Sequence, residues 1–246
     1  WEVRFGNGAW QTVDVERRRD TFTLKIPLNG AIPGTHRVTF RAIYNEGSYE
    51  ASVVVEVKGS ARPLWVFRTG GSIKAQPVVY GGTVYVGSFD GTLYALDITS
   101  GKPRWKAFIG GTLVATPVVT EDVVVIGSTS GAVVCLRRRD GKVIWKASLP
   151  PPVFASAGIY GDVVCTAGGD GKIYGLSLSD GRRLWEFQTG MFVQSRIIPI
   201  QGMFIAGCWD NHVYALDAQS GTLRWKQKFG RSFYYAPAIG SPVTDG

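Results

Sequence analysis

Tryptophan recurs at Trp65, Trp105, Trp145, Trp185 and Trp225, one every 40 residues. Other positions keep the same step. Leu96, Leu136, Leu176 and Leu216 form one column, and Gly101, Gly141, Gly181 and Gly221 another. A third column holds Gly91, Gly131 and Gly171, with Asn211 in the fourth unit. Asn is the usual substitute where the backbone needs a positive φ, so this exchange marks a tight turn. A fixed period of this length means a repeat architecture, in which each unit buries its apolar faces against its neighbours.

Each unit reads as four short strands. In the first, the runs Ala75 to Tyr80, Thr83 to Gly87, Thr92 to Asp97 and Lys102 to Ala107 are separated by Gly81-Gly82, Asp90-Gly91 and Ser100-Gly101. Asp-Gly between apolar runs is a strong hairpin signal. Helical repeats need an apolar period of 3.6, which is absent, and a parallel β-helix needs shorter coils. Glycine at 32 of 246 residues, with only 19% charged residues, fits many turns and strands. The predicted fold is all-β: a β-propeller of 40-residue four-stranded blades. Four blades are complete. A further first strand is expected from Phe233, with Tyr235-Ala236-Pro237 aligned to Gln76-Pro77, and Trp65 sits in a lone outer strand. Seven or eight blades would need about three more repeats, roughly 120 residues beyond Gly246.

The segment Ala95-Leu96-Asp97-Ile98-Thr99-Ser100-Gly101-Lys102-Pro103-Arg104-Trp105 resembles the tryptophan-docking motif of the pyrroloquinoline-quinone (PQQ) type, quinoprotein-like repeat. Ala215 to Trp225 matches it nearly as well, whereas the two middle copies carry Arg137 and Ser177 in place of the Asp. The resemblance covers about residues 62 to 240. It implies that each Trp packs against the neighbouring blade and that the small residue opening the motif makes room for the ring. A Trp buries roughly 150–250 Å², about 4–6 kcal/mol gross before entropy. Trp65, Trp105, Trp145, Trp185 and Trp225 are therefore read as structural.

Residues 1–59 lack the repeat, and the propeller is assigned to 60–246. Strands are expected at Trp1 to Phe5, Trp10 to Val15, Thr21 to Ile26, His36 to Tyr44 and Tyr49 to Val57, with Lys58 to Pro63 as linker. That spacing suggests a partial immunoglobulin-like β-sandwich, which usually has about seven strands, so the missing pair would precede Trp1. Gly8-Ala9-Trp10-Gln11 and Pro33 to Ala42 resemble the immunoglobulin-like module of secreted calcineurin-like metallophosphoesterases. No metal-binding motif of that enzyme occurs in the sequence, so such an activity would reside upstream.

Candidate chemistry is sparse. Cys135, Cys165 and Cys208 lie apart in apolar runs and read as small buried hydrophobes. The resemblance to quinoprotein dehydrogenases would imply a quinone, a calcium ion, a catalytic Asp and adjacent cysteines. No two cysteines are adjacent, and Asp90, Asp140, Asp170, Asp180 and Asp210 fall at turns, where Asp accepts backbone hydrogen bonds. No catalytic, cofactor-binding or metal residue is assigned, and no cofactor is expected. The innermost strands place Gln76, Thr116, Ser156 and Arg196, with Ala236, at one level of the channel. Net charge is +8, and the part after residue 60 carries +7 of it. Arg137-Arg138-Arg139 and Arg17-Arg18-Arg19 are the dense runs, expected on solvated loops. A protein, a glycan or a small anionic ligand could use such a patch. No nucleic-acid motif accompanies them, and no apolar stretch of about 18 residues could span a membrane.

These features point to a non-catalytic binding or scaffold region of a larger multidomain protein, extracytoplasmic by resemblance. Two alternatives are an accessory region of a calcineurin-like metallophosphoesterase and a scaffold similar to the propeller lipoprotein of outer-membrane protein assembly. Titration with pyrroloquinoline quinone and calcium is expected to give no saturable binding; stoichiometric uptake with dehydrogenase activity would overturn the reading.

Overall fold

A computed structural model describes residues 64–229 in full and, before them, the backbone of six strands between residues 2 and 57. Contacts divide the chain into two units, Trp1–Pro63 and Leu64–Gly246. In the first unit, β1 (Glu2–Phe5), β2 (Gln11–Thr12), β5 (Gly34–Tyr44) and β6 (Gly47–Val57) form an antiparallel sheet in the order β2-β1-β5-β6. β3 (Val15–Arg18) and β4 (Thr21–Leu24) form a separate hairpin. Two strands, β2 and β3, replace the single one expected over Trp10 to Val15. Arg17 and Arg18 pair with Phe22 and Thr21 in this hairpin rather than lying on a loop. The packing of a sandwich, linker residues 58–63, and the strand expected from Phe233 with Ala236 lie outside the described residues.

The second unit contains four antiparallel four-stranded blades. Blade one is β7 (Val78–Tyr80), β8 (Thr83–Gly87), β9 (Thr92–Asp97) and β10 (Pro103–Phe108). Blade two is β11 (Val118–Val119), β12 (Val123–Gly127), β13 (Ala132–Arg137) and β14 (Val143–Ser148). Blade three is β15 (Gly158–Tyr160), β16 (Val163–Ala167), β17 (Lys172–Ser177) and β18 (Arg183–Gln188). Blade four is β19 (Ile198–Ile200), β20 (Met203–Gly207), β21 (His212–Asp217) and β22 (Leu223–Lys228). First strands of successive blades touch one another, β7 with β11 and β15 with β19, so they are the inner strands.

Burial follows position in the blade. The middle strands are continuous apolar runs buried on both faces, as Val-Val-Val-Ile-Gly in β12 and Ala-Val-Val-Cys-Leu in β13 are. The outer strands alternate: in β14 and β18 only Trp145 and Trp185 are fully buried. The core is thus three layers between blades. Tyr85, Leu93, Val124 and Ile126 meet in the first, Val125, Cys135, Trp145 and Val164 in the second, and Cys165, Trp185, Phe204 and Leu216 in the third. All three cysteines are free and fully buried. Burial pushes the Cys135 thiol up to about 11 and Cys165 well above its ordinary value.

The repeated Trp joins the layers. Within its own blade, each ring lies opposite the small residue that opens the motif: Ala95 for Trp105, Cys135 for Trp145, Gly175 for Trp185 and Ala215 for Trp225. Toward the next blade, the indole N–H of Trp65, Trp105 and Trp145 donates to the carbonyl oxygens of Ile98, Arg138 and Leu178 at 2.8, 2.8 and 2.7 Å. Trp185 does the same to Ala218 at 3.2 Å. The ring then rests on the glycine three residues beyond that carbonyl. These glycines have φ of 68° to 74°, so the left-handed turn and the ring both require them. A Cβ on Gly181 would lie 2.5 Å from the Trp145 ring. With no further blade among the described residues to receive it, Trp225 is 43% exposed.

Trp145→Ala is expected to cost about 3–5 kcal/mol in chemical denaturation, the range for deleting a buried large aromatic. Gly181→Ala adds overlap with the ring to the left-handed penalty, whereas Gly202, also at positive φ (77°), has open space around it. Gly202→Ala should therefore cost only about 1–2 kcal/mol, and Gly181→Ala clearly more. Equal losses would show that the ring does not press on the turn.

Candidate binding face

Hydrogen bonds sort the loops into two ends of the blade stack. At one end, the second-to-third strand hairpins meet the linkers that enter each blade: Phe89 N donates to Ser72 O, Leu113 N to Ser88 O and Val153 N to Ser128 O. At the other end, the remaining two turns of each blade meet. There Ile98 N donates to Gly82 O, Arg138 N to Asp122 O, Leu178 N to Asp162 O and Ala218 N to Gly202 O. The first is called the linker face and the second the turn face.

The hairpin aspartates build the linker face. Asp90 accepts the Tyr94 hydroxyl at 2.7 Å, Thr92 N at 2.8 Å and Gly70 N at 2.8 Å. Asp210 accepts Tyr214, His212 N at 3.1 Å and Gly190 N at 3.2 Å, and Asp170 accepts Tyr174 at 2.6 Å. In blade two both partners are gone: Ser130 stands for the Asp and Val134 for the Tyr. Burial alone would raise the Asp90 and Asp210 carboxyls, but the tyrosine and backbone donors outweigh it and hold both below the ordinary range. Burial and the neighbouring Asp push Tyr174 and Tyr214 up.

On the turn face, Asp97 accepts Ser100 N and Thr99 N and pairs with Arg104 at 2.7 Å; Asp217 repeats this with Arg224 at 2.6 Å. Arg104 and Arg224 occupy the extra residue of a β-bulge, which turns their side chains back to the Asp. The arginine and serine donors hold both carboxyls well below the usual range. Where Asp is replaced by Arg137 or Ser177, the bulge residue is Ile144 or Leu184.

The Arg137 to Arg139 run is not the free basic loop expected of it. Arg137 ends β13 and bonds Asp140 at 3.1 Å. Arg138 donates to the Glu121 carbonyl and lies 5.1 Å over the Tyr80 ring of blade one, tying two blades together. Arg139 alone projects, with a loose contact to Asp140 at 3.8 Å. Glu121, Asp122 and these arginines line an open groove of about 520 Å³.

Three of the four channel positions fall into a ladder. Gln76 N donates to Thr116 Oγ1 at 3.3 Å, Thr116 N to Ser156 Oγ at 2.8 Å, and Ile197 N to Ser156 O at 3.0 Å. Ser156 is buried, and Gln76 and Arg196 are exposed. The Thr116 and Ser156 hydroxyls stitch inner strands together. Among the described residues no group of His, Cys, Asp and Glu could hold a metal ion.

The repeat breaks most on the linker face. The hairpin residue after the conserved small position is Phe89, Thr129, Gly169 and Trp209 in the four blades. Lys74 lies 5.4 Å over Phe89; Thr129 bonds Thr112 N at 2.9 Å; Trp209 stacks on Phe192 at 5.5 Å and donates to Gln194 at 3.2 Å. Beside Gly169 a pocket of about 180 Å³ opens, lined by Pro152, Phe154, Gly168, Gly169, Phe192 and Val193. None of these residues was singled out by the sequence reading. Comparing the 72, 112, 152, 192 and 74, 114, 154, 194 columns with the 89, 129, 169, 209 column would have found Pro152, Phe154, Gly169 and Phe192.

With blades, docking residues and inner ladder in place, the comparisons agree on the architecture. Residues 10–244 match the family described as "Beta-alanine-activating enzyme, beta-propeller". The chain belongs to this family. A search of curated proteins gives no match. Among solved structures, BamB from Moraxella catarrhalis is 23% identical with a TM-score of 0.57, covering 63% of this chain and 48% of its own. A europium-containing methanol dehydrogenase is 15% identical with a TM-score of 0.58, covering 79% of this chain and 48% of its own. The computationally designed Ika4 protein is 17% identical with a TM-score of 0.57, covering 70% of this chain and all of its own. At these identities the likeness is one of fold, and the chain spans about half the length of the two natural proteins. No helix among the described residues is long and apolar enough to cross a membrane.

The linker-face pairs predict how stability responds to pH. Asp90 and Asp210 titrate below the ordinary value of 3.8, so their contribution is complete above it and is lost as pH falls through the folded values. Tyr174 and Tyr214 titrate above 10.0, so theirs is complete below it and is lost as pH rises through the folded values. Thermal melts across pH should show a plateau that falls at both ends, and Asp210→Asn should shallow both limbs. Limbs unchanged by that substitution would remove the pair from the account.

Proposed function

We propose that this propeller is a non-catalytic protein-binding platform within a larger multidomain protein. One observation carries the reading. The polar residues shared between blades are engaged in holding strands, turns and neighbouring blades, while the hairpin residues of the linker face differ from blade to blade, and Phe89, Phe154, Phe192 and Trp209 present half-buried aromatic rings there. A surface of this kind is complementary to protein rather than to a charged ligand, because interface cores favour aromatics over charge. The groove on the turn face favours an anion less, since Arg137 and Arg138 already have partners.

The family description names the propeller of an activating enzyme, which supports an accessory role beside a catalytic region elsewhere in the parent. That parent fits the family better than a metallophosphoesterase does. The inner-strand positions Gln76, Thr116 and Ser156 serve this platform as blade-to-blade ties, and Arg196 stands exposed beside them. Location outside the cytoplasm, in the periplasm or as a secreted protein, rests on the resemblance of the repeat to quinoprotein-like propellers.

A photo-crosslinking residue at Lys74 or Gln194, on the linker face, is expected to trap a protein in the native cell. The same residue at Arg139, on the turn face, should not. Adducts from Arg139 alone would move the platform to the other face, and none from any position would sink the reading.

A further inference from the structure

We infer that the gap beside Gly169, between blades three and four, is a socket for a single leucine- or phenylalanine-sized side chain of a partner protein; this rests on the platform reading above. In blades one, two and four the hairpin residue at this place carries a side chain that covers the entering linker: Phe89, Thr129 and Trp209. Blade three has Gly169. Its backbone has also changed partner: Gly169 N donates to Pro150 O at 2.8 Å, whereas Phe89, Thr129 and Trp209 each donate to the linker residue two places further on, namely Ser72, Thr112 and Phe192. A Cβ on Gly169 would overlap the Pro151 carbonyl. Blade three therefore admits no side chain at the position that carries one in the other blades.

What remains is a gap walled by Phe154 and Phe192, with Pro152 and Val193 beside them. Phe192 is held from behind by Trp209, with ring centroids 5.5 Å apart, so this wall is in place before anything binds. Size and chemistry define the occupant. The volume is about 180 Å³, whereas small-molecule and cofactor sites run about 300–1,000 Å³. No lining side chain is ionisable or bears a hydroxyl, so a charged or sugar-like group would lose its water without a partner. A bulky apolar side chain loses nothing of that kind and gains burial against two aromatic rings. Binding energy in protein interfaces concentrates in such anchors seated in desolvated pockets.

The test pans phage-displayed random linear peptides on the full chain. The expected outcome is enrichment of sequences with one Leu or Phe among polar residues. Their synthetic copies should bind about tenfold more weakly to Phe154→Ala and to Phe192→Ala, about 1.4 kcal/mol, while each variant melts close to the parent. Two variants on opposite walls guard against one that fails to fold. Peptides that keep their affinity for both variants would overturn the socket and leave the platform standing. The same holds for peptides that tolerate replacement of the apolar residue by Asp. If no peptide is enriched on the parent chain, the socket falls, and the platform is decided by the crosslinks from Lys74 and Gln194.

Discussion

The structure depends on one indole held between two blades. Its face rests on a small residue of its own sheet and on a left-handed glycine of the next, and its N–H is tied to a carbonyl there. Each component is incomplete alone. An apolar ring without the glycine would collide with the turn, and a glycine turn without the ring would leave a groove between sheets. The hydrogen bond fixes the angle at which one sheet meets the next, because a planar ring with a single donor can satisfy it in few orientations. The three apolar layers inherit their spacing from this joint.

A blade has no core of its own, and this governs where chemistry-bearing side chains can go. Both faces of the middle strands are covered by neighbours, so charge is confined to the two ends and the outer edge. At the ends it is engaged locally: Asp90 and Asp210 with tyrosines and backbone N–H groups, Asp97 and Asp217 with bulge arginines. These motifs recur because the turns need them. Lys106, Lys146 and Lys226 stand on the solvent side of outer strands, where positive charge discourages one sheet edge from pairing with another. The basic excess is thus in part an architectural trait.

Much of this was legible in the sequence because it recurs. Spacing by 40 residues located the five docking Trp and the turn glycines, and Asn211 carries the positive φ that its column demanded, at 66°. The strand limits expected at Thr83 to Gly87 and Thr92 to Asp97 match β8 and β9. What a repeat conceals is whatever departs from it. The Arg137 to Arg139 run reads as a basic loop in one dimension, yet Arg138 reaches back to Tyr80, more than one unit earlier in the chain. The pocket lies beside a missing side chain, and one glycine among 32 gives no signal until it is compared with Phe89, Thr129 and Trp209. The first sixty residues, without periodicity, could be divided into strands but not into a pairing order such as β2-β1-β5-β6.

The docking contacts reach forward 33 residues to a carbonyl and 36 to a glycine, both less than one period. A recombination event that removes or duplicates a 40-residue length, wherever its breakpoints fall, therefore returns every ring to an equivalent seat. Any other length misplaces all the seats downstream of it. Gene rearrangement can in this way change the number of blades in whole steps while leaving each joint chemically intact. Lineages carrying this repeat are free to vary their ring size without first inventing a new interface.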